Sequence, residues 1–257
     1  MKVFLALALM MSFSLAEARG LSAVRAAGES AATARLRVLK KPPSLNLQVM
    51  ETGTPEAFAQ PLSEIGIEEI PEVSSLAELE REFNYLRDTR FLESERTEFP
   101  RRITWLFPDD GCYARAEMAA IEIDHHQFLA PRKIFAFGDL SVNTKNSLSG
   151  YVTWWYHVAV AYRFQQQIYV FDPAISPKRP LLLKDWNQQM GGASTEIKYA
   201  VCAARTYDPD ADCKHPAYAS DRDVEEEQKG FFRAEWNRVL KLNRDPEKEL
   251  GELPPWL

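Results

Sequence analysis

Between Tyr151 and Phe171 the sequence carries two runs rich in aromatic and β-branched residues, Tyr151 to Phe164 and Ile168 to Phe171, separated only by Gln165-Gln166-Gln167. So short a connection makes the two runs an antiparallel hairpin, because a parallel pair needs a crossover of a dozen residues or more. A symmetric turn sets Arg163 opposite Ile168. Counting along the strands then brings His157 opposite Ala174, with Asp172 as its diagonal neighbour on the same face. Thr153, Trp155, Ala159 and Ala161 are expected on that face, and their small members leave space for a helix. Trp154, Tyr156, Val158, Val160 and Tyr162 are expected on the other.

The remaining elements fit around this hairpin. Lys133 to Val142 and Glu196 to Ala203 read as further strands. Ser75-x-x-Glu78 forms a capping box ahead of Leu76, Leu79, Phe83 and Leu86, so a helix is expected from Ser75 to about Arg90. Cys112 to Phe128 contains no Gly or Pro and is rich in Ala, Glu and Met, which predicts a helix that starts at Cys112. A short helix around Trp186 (Leu181 to Met190) and a charged amphipathic one over Val224 to Leu242 complete the pattern. The expected fold class is α+β, with the cysteine-bearing helix packed against an antiparallel sheet.

Three segments are expected along the chain. Met1 to Ala18 has a positive start, an apolar run to Leu15 that is short for a bilayer span, and Ala16-Glu17-Ala18 as a cleavage signal. It reads as a signal peptide, so the chain is expected to be secreted or periplasmic, without stable membrane insertion. Residues 19–73 hold Ala, Ser, Thr, Pro and Glu with no sustained apolar period. They read as an extended linker or pro-segment with short ordered pieces at Leu36 to Leu39 and Leu45 to Met50. Residues 74–257 are the expected catalytic domain. The balance of 31 Lys and Arg against 37 Asp and Glu, with no basic stripe, argues against nucleic-acid binding.

An exported chain tends to pair its thiols, and this one has three. Cys202 and Cys213 lie eleven apart and close the shortest loop, although pairing of Cys112 with either remains open on sequence. Cys112 is then the leftover, reactive thiol.

Cys112, His157 and Asp172 make a chemically coherent set. Free N–H groups at a helix start favour a thiolate and can hold an oxyanion; a histidine can carry the proton; a carboxylate can orient the imidazole. Asp109 and Asp110 oppose thiolate formation and are read as shaping the turn. His125 and His126 follow Asp124 and read as a solvated helix end rather than a metal site, and His215 is assigned no role. The acidic runs Asp208 to Asp212 and Asp221 to Glu227 read as solvated faces. Trp105, Trp154 and Trp155 are candidate walls of a substrate cleft but, as aromatic residues in strands, are read as core.

Gly111-Cys112-Tyr113-Ala114-Arg115-Ala116, Trp155-Tyr156-His157-Val158-Ala159 and Tyr169-Val170-Phe171-Asp172-Pro173, in that order, resemble the bacterial protein-glutaminases. That resemblance covers about Ile103 to Ile175. It implies a transglutaminase-like or papain-like core and a Cys112, His157, Asp172 triad. It also implies hydrolysis of glutamine side-chain amides in proteins or peptides, with no cofactor and no metal, and inhibition of the site by residues 19–73. Glu117 departs from the basic or His residue expected there, which bears on substrate preference. A transglutaminase or cysteine peptidase with the same triad is the alternative enzyme, and Tyr113 in place of Trp after the nucleophile favours hydrolysis. A non-catalytic exported binding protein with Cys112 in a disulfide is the alternative from a different class.

Overall fold

The computed structural model describes residues 20–40, 52–93 and 99–257. The expected signal peptide and the expected ordered piece at 45–50 lie outside these residues.

Six strands are described: β1 (Gln60–Pro61), β2 (Arg132–Asn143), β3 (Tyr151–Phe164), β4 (Gln167–Phe171), β5 (Leu181–Leu182) and β6 (Lys198–Cys202). They form one sheet in the order β1-β6-β2-β3-β4-β5, every neighbouring pair antiparallel. The hairpin register is the expected one, with Arg163 opposite Ile168 and Val160 opposite Phe171. Gln165 takes a positive φ of 55° at the turn. β3 is buried almost continuously from Val152 to Tyr162, as suits a strand covered on both faces.

The expected alternation along β3 fails at one place. The pairing of β2 with β3 shifts between Phe137 and Leu140, so Gly138 and Asp139 together oppose Trp155. This is a bulge, and Gly138 suits it: φ is 150°, and a Cβ there would stand 2.8 Å from the Glu196 carbonyl oxygen. Within β3 itself, Trp154 stacks on His157 instead of lying with Tyr156 and Val158.

The helices are α1 (Ala31–Val38), α2 (Leu76–Asp88), α3 (Cys112–His125), α4 (Leu183–Gln189), α5 (Asp221–Lys241) and α6 (Pro246–Leu250). Ser75 caps α2 by accepting from Glu78 N–H, while the Glu78 carboxylate reaches back to accept from Ser74 N–H at 3.0 Å. Leu79, Phe83 and Leu86 pack with Met118 and Ile121 of α3 and with Val160, Tyr162 and Phe171 of the sheet. α1 begins earlier than the ordered piece expected at Leu36, because Ser30 accepts from Thr33 N–H and starts it. α3 ends at His125, short of Phe128: Gln127 has φ of 57° and Phe128 N–H bonds back to Ile123 O, closing the helix in a left-handed turn. His126 is not simply solvated, since its Nδ1 lies 2.9 Å from Glu82 and its ring stacks on Tyr85.

Twelve of the fourteen residues of α3 are buried, charged ones included. Glu117 is fully buried; it pairs with the equally buried Lys133 of β2 and, at 2.5 Å, with Arg205. Its side chain fastens α3 to the sheet. Lys133 also donates to Thr206 O inside the loop closed by the Cys202–Cys213 disulfide.

Candidate active site

Gly111 lets the chain enter α3 in a left-handed conformation, φ 76° and ψ 21°. Any Cβ there would also meet the Phe231 ring of α5 at 2.7 Å. Cys112 is thus fixed as the first residue of the helix, where its own N–H has no intrahelical partner. Asp110 shapes the turn as expected, with Oδ1 accepting from Gly111 N–H at 2.8 Å. Arg115 Nη1 ties the same loop from inside the helix, through Phe107 O and Asp110 O. Asp109 is held by Arg238 of α5.

Cys112 is the free thiol and it is buried. Burial pushes the thiol up to about 12, and Asp110 adds to this; Arg115, the Val158 N–H and the Tyr156 hydroxyl pull the other way without prevailing. Val158 and Tyr156 flank His157, so the sulfur faces the stretch of β3 that carries the imidazole. His157 Nε2 lies 2.8 Å from Asp172 Oδ2, in a pair only 1% and 4% exposed. His157 Nδ1 is buried without a hydrogen-bond partner. Trp154 stacks on the imidazole, with centroids 4.4 Å apart and planes at 10°.

Asp172 leaves β4 one residue after its last paired position. Trp186 of α4 donates its Nε1–H to the same Oδ2 at 2.9 Å. Burial raises the Asp172 carboxyl, but the His157 charge and hydrogen bond, together with the Trp186 bond, outweigh it and hold the group below the usual carboxylate range. Trp186 was legible as a helix centre and not as part of the site, because nothing in its local sequence ties it to a carboxylate.

Residues 20–25 run as a strap beside these groups. β4 pairs with β3 only from Val160 onward, which leaves the edge of β3 at Thr153 to Trp155 open. The strap takes that edge: Val24 bridges Trp154, Trp155 N–H donates to Ala23 O, and Arg25 N–H donates to Thr153 O. Side chains hold the rest of its backbone. Glu227, Asp208 and Asp110 accept from the N–H groups of Gly20, Leu21 and Ala23. Trp155 Nε1 donates to Ser22 O and the Tyr156 hydroxyl to Leu21 O. Asp208 and Glu227 are therefore not members of solvated faces, as their acidic runs suggested; they grip the strap. Trp154 and Trp155 likewise serve the site rather than the core alone. Trp105 is buried in the core.

Among the described residues, no group of three or more His, Cys, Asp or Glu side chains gathers as metal ligands would. No described helix is long and apolar enough to cross a membrane.

The chain superposes in part on solved protein-glutaminase structures. A crystal structure of a pro-protein-glutaminase superposes with a TM-score of 0.48 at 22% identity, over 63% of this chain and 58% of the other. The NMR structure of protein-glutaminase from Chryseobacterium proteolyticum gives 0.48 at 23% identity, over 63% and 89% of the two chains. A further protein-glutaminase crystal structure gives 0.44 at 24%, over 72% and 92%. The chain thus spans 58% of the length of the first of these structures. No curated protein matches the chain. Residues 79–190, which hold Cys112, His157 and Asp172, match the family model described as glutaminase.

Proposed function

We propose that this chain hydrolyses the side-chain amides of glutamine in proteins or peptides, giving glutamate and ammonia. The observation that carries the reading is the glutaminase match over a segment in which a buried cysteine at a helix start lies against the stretch of β3 that carries His157, itself paired with Asp172. Cys112 Sγ attacks the γ-carbonyl carbon while the imidazole takes the thiol proton at Nδ1, the nitrogen that Asp172 leaves free. The resulting oxyanion is met by the free N–H of Cys112. The C–N bond breaks as His157 returns the proton to the departing ammonia. Water, deprotonated by His157, then cleaves the thioester to glutamate and free thiol.

Residues 19–73 act in this proposal as a pro-segment of the catalytic domain, 74–257, and Met1 to Ala18 as its export signal. The strap at residues 20–25 supports an inhibitory part for the first stretch, since it takes the open edge of β3 beside Cys112 and His157. Gln60–Pro61 lies at the sheet edge and Val73 N–H bonds to Arg163 O, so the later stretch contributes to the fold as well.

The test uses the full chain with a protease site introduced between residues 40 and 52, cut and then assayed. Ammonia release from a glutamine-rich unfolded protein is measured against Cys112→Ala, with substrate masses read alongside. Cysteine-dependent ammonia with an intact backbone and no cross-links is expected. Backbone fragments or lysine cross-links would replace the reading with a peptidase or a transglutaminase, and silence after cutting would reject catalysis.

A further inference from the structure

We infer that the bulge of β2 forms a guanidinium subsite, so that the cleft selects glutamines followed two residues later by arginine in an extended segment. This rests on the amide-hydrolysis reading and names its substrate class.

Arg25 already occupies that subsite. Its Nε donates to Trp154 O at 3.0 Å, Nη1 to Asp139 Oδ1 at 2.9 Å and Nη2 to Leu140 O at 3.2 Å, while Nη1 also reaches the strap's own Glu29 O. The side chain is only 12% exposed. Three acceptors from two strands meet the fork of donors that only arginine presents; lysine, a point donor, cannot satisfy them together. The bulge is what assembles them. In regular pairing Asp139 and the Leu140 carbonyl would not both come to the Trp154 edge, and Gly138 provides the backbone freedom to bring them there. Asp139 also accepts from Ala31 N–H at 2.6 Å, so departure of the strap and its helix frees the carboxylate entirely.

The spacing follows from the strap. Ala23 is its one fully buried residue, held between Asp110, two residues before Cys112, and Trp155, two before His157. A substrate strand adding to the same edge of β3 places its reactive residue there and its second following residue over the bulge. A cavity of about 540 Å³ lies between residues 24–30 of the strap and Asp109, Asp139, Ser147 and Tyr151.

The experiment uses the cut full chain, diluted with its released fragment left in solution, in two independent measurements. Binding of labelled peptides with the sequence Gly20 to Ser30 is compared with the same peptide carrying Arg25→Glu or Arg25→Lys. Ammonia release is compared for acetylated peptides with glutamine followed at the second position by Arg or by Glu. The arginine peptide is expected to win by about tenfold in both, the scale of a charge-assisted hydrogen bond. Asp139→Lys in the cut chain should abolish or invert both ratios. Equal binding of the three peptides, or a preference that survives Asp139→Lys, would overturn the subsite. A binding preference without any ammonia would instead sink the amide-hydrolysis reading and leave the subsite standing.

Discussion

Arg25→Ala in the full-length chain tests whether the strap closes the site. The substitution removes three hydrogen bonds from the strap to the sheet, those to Trp154 O, Asp139 and Leu140 O. Each is worth about 1 kcal/mol net. Asp139 is 48% exposed, so its share is discounted for solvent screening, which leaves about 2 kcal/mol for the seat of the strap. At 1.36 kcal/mol per factor of ten this raises the open fraction about thirtyfold. Cys112 reports that fraction, because it is the free thiol and burial holds it near 12 while the strap is seated. Alkylation by iodoacetamide under native conditions, followed by intact mass, should therefore accelerate about thirtyfold in Arg25→Ala. The thermal midpoint of the domain should stay put, since Arg25 packs against no core cluster. An unchanged alkylation rate would show that the strap does not gate the thiol, and the inhibitory role of residues 20–25 would be abandoned.

Other perturbations follow from the same geometry. Trp186→Phe deletes one donor to Asp172, so its carboxyl, now held below its ordinary value, should rise. A depressed carboxylate contributes above its unfolded pKa and is lost as pH falls through the folded one, so the acid limb of the activity profile should move to higher pH; an unmoved limb refutes the role of the indole. Lys133→Met leaves Glu117 buried without its principal partner and should cost about 3–5 kcal/mol in urea unfolding, largely recovered by adding Glu117→Leu. A single variant as stable as the parent would contradict that pairing. Replacing Cys202 and Cys213 together by Ala should cost about 3 kcal/mol and, by loosening Tyr207 and Asp208, should speed Cys112 alkylation. Denatured, non-reduced parent chain should titrate one thiol, as one free cysteine requires; three would exclude the disulfide.

Local signals carried much of the fold. The glutamine turn fixed the β3–β4 register, which is a matter of two strands and a loop; the capping serine and the Gly111 entry marked the two helix starts. The position of His157 relative to Asp172 followed from that register. What stayed hidden depends on distant parts of the chain. The stacking of Trp154 on His157, three positions along the same strand, breaks the alternation expected of β3, and the bulge of β2 left no local signal. Trp186 reaches Asp172 from a helix whose own sequence names no partner. The burial of Glu117 was not legible because its partners Lys133 and Arg205 are far away in sequence. The strap was invisible as a docking element: much of it is held through its backbone, which leaves no periodic pattern in side chains, and the acceptors that seat Arg25 are far away in sequence.

Glu227 draws the two ends of the chain together. One of its oxygens accepts from both Gly20 N–H and the Tyr113 hydroxyl, and the other from the Tyr207 hydroxyl. Gly20 and Glu227 are 207 positions apart. Synthesis proceeds from the N-terminus, so the strap exists for most of elongation before the residue that anchors its first N–H has been made. Closure is thereby a late event in the life of each molecule, and an interrupted chain lacking α5 holds a strap with nowhere to fasten its leading end.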